Sequence, residues 1–141
     1  MTKEEKILLV KDLGQRILYG VKFKLTVTFY TITGIDLTTV EDGEWQGWDY
    51  VVRAKGIAPV EIEYVKPYLR PMSSMTEEEK KEYHSICDEE EREEKEFGEW
   101  VIRVYYHNTI ESIDWLNAHH FDFRNLIGKG LALEAPEGMY A

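Results

Sequence analysis

A chain of 141 residues that is 43% apolar, 13% aromatic and 31% charged can bury a substantial core and is too rich in apolar side chains for a disordered polymer. Its one cysteine, Cys87, excludes an intrachain disulfide and a zinc cage made of this chain's cysteines, which suits a reducing compartment. The formal charge of −10 is concentrated: residues 77–99 hold 12 acids against four bases, or −8, so one negative patch should repel phosphate backbones and anionic lipid and attract basic proteins.

Thr2 and Glu5 have capping-box spacing and open a first helix. Ile7, Val10, Leu13 and Ile17, widened by Leu8 and Leu9, form its packed side, with Lys3, Lys6, Lys11 and Asp12 elsewhere. The apolar run there is too brief for a signal-peptide core, and no stretch of about 18 apolar residues exists to span a membrane, so a cytoplasmic, non-membrane protein is expected. Gly20 punctuates the turn that follows. Residues 21–30 alternate strictly, with Val21, Phe23, Leu25, Val27 and Phe29 on one face, and predict a single strand. Weaker strands are expected at 32–40, 48–54 and 60–65, separated by turn-rich pieces at 41–47 and 55–59, which together give an antiparallel meander.

Pro67 and Pro71 mark an ordered connection over residues 66–74. Ser74 and Glu77 repeat the capping spacing and open a second helix whose only compact apolar face is Tyr83, Ile86 and Cys87. Beyond Cys87 charge dominates up to Phe97, which is compatible with a solvated helical extension or with a mobile hairpin between Cys87 and Gly98. Residues 100–106 alternate again and predict a fifth strand, and Asn108 with Glu111 caps a third helix carrying Ile110, Ile113 and Leu116. No repeat or linker divides the chain. The expected fold is one α+β domain spanning 1–141: a mainly antiparallel sheet of four to five strands with two to three helices packed mostly on one face.

Candidate chemistry clusters late in the chain, where His107, His119, His120 and Asp122 suggest a small metal-dependent hydrolase. Adjacent histidines on a helix point about 100° apart, however, unlike the i, i+4 pair of a zinc protease. The plainer reading has His119 satisfying the last carbonyls of the third helix and His120 beginning a turn. His84 and Cys87 stand at i, i+3, the spacing of a thiolate–imidazolium pair, but Cys87 keeps apolar company and no third group orients the two. Glu61 and Glu63 share a strand face through alternation alone, and Trp45 with Trp48 could stack on a sugar or base or simply close a core edge. Nucleotide-binding and hydrolase signatures are missing, and no cofactor is expected. The favoured reading is a non-catalytic interaction protein whose acids Glu89, Glu90, Glu91, Glu93 and Glu94 engage a basic protein, without direct nucleic-acid or membrane binding. Exposed tryptophans and tyrosines leave a structural oligomer as a third reading, so the oligomeric state stays open.

The strings MTKEEKILLVKDL, KPYLRPMSSMTEEEKKEY and DWLNAHHFDFRNLIGKGLALEAPEGMY resemble a family of small uncharacterised proteins encoded by gut anaerobic bacteria, their phages and mobile elements. That resemblance implies an accessory gene of phage type. It implies no activity and no site residue.

Overall fold

Residues 1–42 and 45–141 are described by a computed structural model of the chain. Helix α1 (Lys3–Arg16) begins with the expected reciprocal bonds: the Glu5 N–H donates to Thr2 Oγ1 and the Thr2 N–H to Glu5 Oε1, each over 3.1 Å. Its buried row is Leu9, Asp12, Leu13 and Arg16, rotated from the expected stripe, and Ile7 is left 49% exposed. The rotation is permitted because Asp12 and Arg16, four residues apart, neutralise each other and can be turned inward together. Gly20, at φ 72°, closes the 3₁₀ turn Ile17–Tyr19 that follows.

Residues 21–30 are a hairpin and not one strand. The chain reverses at Thr26 and Val27, so β1 (Lys22–Leu25) lies antiparallel to β2 (Thr28–Asp42), with Phe23 opposite Tyr30. Alternation in the sequence runs straight through this turn while the faces exchange, which leaves Phe29 opposite Lys24 and 48% exposed. Strand β3 (Trp45–Ala54) pairs with β2, and the turn expected at 41–47 lies partly outside the described residues. Strand β4 (Val60–Glu61) is shorter than expected because Ile62–Tyr64 coil into a 3₁₀ turn that buries Ile62.

The supposed connection after Val65 contributes β5 (Lys66–Leu69). Pro67 fits there because β5 meets β1 at Lys66 and Pro67 but meets its other neighbour only from Tyr68 onward. The chain then departs at Arg70 and returns at Phe121. The Arg70 N–H donates to His120 O over 2.7 Å and the Asp122 N–H to Arg70 O over 2.8 Å, so entry and exit are stitched together. Between them lie α2 (Glu77–Ile86), β6 (Asp88–Glu96), β7 (Glu99–His107) and α3 (Ile110–Ala118), and β8 (Leu133–Glu134) follows near the C-terminal end.

Among the described residues eight strands form two sheets. One has six strands in the order β4-β3-β2-β1-β5-β8, antiparallel except for the parallel β5–β8 pair, and the other is β6–β7 alone. The fold is α+β, and the fifth expected strand belongs to the separate ribbon. Helix α1 packs on β2, α3 on α1, and α2 on α3. Leu9 and Leu13 of α1 close over Phe23, Ile32, Val52 and Leu69 of the large sheet, together with Leu126 and Leu131 from the tail. Among the described residues no helix is long and apolar enough to cross a membrane.

Both later helices start two and one residues beyond the expected caps, for identifiable reasons. Ser74 is occupied in the 3₁₀ turn Met72–Ser74, its hydroxyl donating to Pro71 O, so Thr76 and Glu79 cap α2. Asn108 Oδ1 accepts from the Tyr83 and Ser112 hydroxyls, so Thr109 and Ser112 cap α3. Helix α2 stops at Ile86 and does not extend into the acids. A helix there would set Glu89 against Glu93 and Glu90 against Glu94 at i, i+4, whereas a strand distributes them over two faces.

Candidate functional site

The −8 segment contains the whole of β6, and its geometry follows from the strand register. Phe97 at φ 51° and Gly98 at φ 83° form a two-residue turn with both positions left-handed, the arrangement whose twist matches an antiparallel hairpin. No residue of either strand is fully buried. Directly opposed residues share a face, so the ribbon has two sides of different chemistry.

On one side are Glu90, Arg92, Glu94, Val101, Arg103, Tyr105 and His107, knitted into a network. Arg92 Nε donates to Glu90 Oε1 over 2.7 Å, His107 Nε2 lies 2.7 Å from Glu90 Oε2, and Arg92 stands over the Tyr105 ring. Arg103 pairs with Glu94 and Glu96, while the Tyr105 hydroxyl donates to Glu94. The Arg92 bond, with His107 second, holds the Glu90 carboxyl down at about 2. The Glu94 carboxylate raises the Tyr105 phenol. These acids are committed within the ribbon.

The other side pairs Glu89 with Tyr106, Glu91 with Val104, Glu93 with Ile102 and Lys95 with Trp100. Among the described residues Glu89, Glu91 and Glu93 make no ion pair or hydrogen bond through their side chains. Beside them Trp100 is 71% and Ile102 66% exposed. The five acids expected from sequence to act together divide between two sides: Glu89, Glu91 and Glu93 form one unpaired row, while Glu90 and Glu94 point to the opposite side and are occupied. At its root the ribbon is fixed to the helices, since the His84 and Tyr106 rings stack with centroids 3.7 Å apart and Thr109 Oγ1 donates to Ile86 O over 2.7 Å.

The C-terminal histidines and Asp122 occupy four separate settings. His107 is held by Glu90, and His119 stacks on Trp115 at 4.1 Å with Nδ1 3.9 Å from Glu79. His120, at φ 64°, is buried against the Tyr140 ring at 3.6 Å, and burial lowers it to about 4. Asp122 receives the Leu126 and Ile127 N–H groups and braces a loop. Among the described residues no three His, Cys, Asp or Glu side chains stand together as a metal-binding group.

The other pairs also separate. His84 turns to Tyr106, while Cys87 lies beside Tyr83, whose phenol is pushed up to about 12 by burial first and by Cys87 second. Glu61 ends a strand while Glu63 sits in the 3₁₀ turn, so their alternation is broken. Trp48 is 67% exposed, and the Trp45 side chain lies outside the described residues. The open groove between α1 and α3, lined in part by Leu18, Tyr19, Ile110 and Asp114, carries one carboxylate and no catalytic pair.

Sequence reasoning missed the buried ion cluster. Asp12, with no exposed surface, receives Arg16 Nε (2.8 Å) and Nη2 (3.1 Å) on one side and Arg124 Nη1 (2.7 Å) on the other. Arg16 Nη2 also donates to Phe121 O over 2.7 Å. The available signal was an opposite-charge pair at i, i+4 interleaved with Leu9 and Leu13. Arg70, which binds both carboxylate oxygens of Glu79 at 2.8 Å and lies over the Phe121 ring, was equally hidden because Glu79 sits beyond an intervening turn and Phe121 is remote in sequence. Together with the Thr76 N–H, which donates to Glu79 Oε1, this bond lowers Glu79 to about 2.

The class defined by this architecture is an α+β protein on a six-stranded mixed sheet, with a separate two-stranded ribbon bearing an unpaired acidic row. Comparison with family models, with curated proteins and with solved structures returned no match.

Proposed function

We propose that the chain is a small non-catalytic accessory protein that binds a basic protein partner through the β6–β7 ribbon. The observation that carries this reading is the row Glu89, Glu91 and Glu93, three carboxylates in line that make no ion pair among the described residues and stand beside exposed apolar side chains. Natural folds seldom leave a contiguous apolar patch uncovered without an interaction that uses it. Carboxylates beside such a patch steer cationic partners towards it and disfavour nucleic acid.

The test is binding of a polyarginine peptide across a salt series. The native chain should bind at low salt and release as salt rises. The triple variant Glu89→Gln, Glu91→Gln, Glu93→Gln should lose that salt-sensitive binding, while Glu90→Gln with Glu94→Gln should weaken it less, because those two are already neutralised by Arg92 and Arg103. Unchanged affinity of the triple variant at low salt refutes the reading.

A further inference from the structure

We infer that the partner presents an amphipathic basic helix, laid lengthwise along the ribbon face that carries Trp100, Ile102 and Val104. This rests on the ribbon being the interaction site and adds what kind of element fits it. Residues two apart on a strand repeat every ~6.8 Å, close to the ~6 Å rise between positions i and i+4 of a helix. The row Trp100, Ile102 and Val104 on β7 is therefore about 14 Å long, ending where the His84 ring covers Tyr106, and it matches a helix of about nine residues with one apolar stripe. Flanking the stripe, Glu89, Glu91 and Glu93 face successive turns and call for Lys or Arg on one shoulder of that helix. Lys95, opposite Trp100, is the single cation of the row and favours an acid at the end of the partner nearest the Phe97–Gly98 turn, which sets the direction of the helix.

Two other occupants fit less well. A strand added to the outer edge of β6 or β7 would satisfy backbone groups and leave the apolar face bare. A second copy placed face to face would bring two rows of three unpaired carboxylates into one interface, which like-charge repulsion opposes. Only a cationic amphipathic element covers the apolar stripe and answers the acids at once. A two-stranded ribbon is marginal alone, so an element covering one face also steadies it.

The experiment measures binding of three fluorescent peptides to the full chain at low salt. One is a helix with a leucine row, arginines on one shoulder and a terminal glutamate, the second a scramble of it, and the third an alternating Val/Lys strand former. The helical peptide should bind at least about tenfold tighter than either of the others, and Ile102→Ser should remove about tenfold of that affinity. Because Ile102 is exposed, this change leaves the core intact. Equal affinity for the helix and its scramble overturns the helix while leaving the acidic ribbon as the site. Tighter binding of the strand former, indifferent to Ile102→Ser, overturns it in favour of edge addition. A dimer in light scattering that Ile102→Ser dissociates assigns the face to a second copy and overturns it likewise. No binding of any cationic peptide sinks both this inference and the reading beneath it.

Discussion

Thr26 and His120 both occupy left-handed backbone, at φ 55° and 64°, and each has a measurable consequence. Thr26 is β-branched, for which this conformation is strained, and its exposed hydroxyl gains only a bond to its neighbour's carbonyl, Leu25 O. Thr26→Gly should therefore raise stability by about 1 kcal/mol in denaturant unfolding. At His120 the effect is electrostatic. Burial, with Arg16, Lys22, His119 and Arg70 around it, lowers its pKa to about 4 from 6.5. Between those values the unfolded chain holds the proton and the folded chain does not, so stability is complete above pH 6.5 and declines as pH falls towards 4. The gap corresponds to about 3 kcal/mol. His120→Asn, which tolerates left-handed backbone, should flatten the melting temperature over that pH interval, and an unchanged slope would assign the effect to other groups.

Among the elements, α1 depends most on a polar feature. Asp12 is the only carboxylate bonded to Arg16 and Arg124 among the described residues, and Arg16 has no exposed surface. Asp12→Ala leaves a buried guanidinium without its counter-ion and should cost about 3–5 kcal/mol in chemical denaturation. Changing both, Asp12→Leu with Arg16→Met, should cost less than Asp12→Ala alone, because the charge is removed with its partner. The same helix marks how far local pattern can be read. Its existence and its Thr2–Glu5 cap follow from spacing alone, whereas the rotation of its buried face depends on Arg124 and Phe121, over a hundred residues away. The Thr26 turn was illegible for a related reason. No glycine or asparagine marks it, and alternation carries the eye through. At the other hairpin tip Gly98 is visible in sequence, and the alternation of residues 100–106 already separates Trp100 and Ile102 from Arg103.

At the scale of the whole molecule, charge and core are segregated. The apolar cluster is built from α1, the large sheet and the tail, while most of the net charge sits on an excursion tied at Arg70 and Phe121. Composition could place the acids together but could not sort them, since the division of Glu89, Glu91 and Glu93 from Glu90 and Glu94 exists only once β7 lies opposite. The metal candidates illustrate the converse. Closeness in sequence put His119, His120 and Asp122 side by side, and the end of α3 sent them to different surroundings.

The root of the ribbon also sets which way each of its sides faces. Asp88 and His107 face each other where the strands leave the helices, and every position beyond inherits its side from that first pair. Excising Glu89 together with Tyr106 would preserve the ladder yet turn everything distal through half a revolution, presenting the arginine network where the tryptophan had been. Excising two successive pairs would shorten the arm and keep its bearing. Length changes in this arm are therefore governed by odd and even, and a change of reach that keeps the same face outward comes in steps of two.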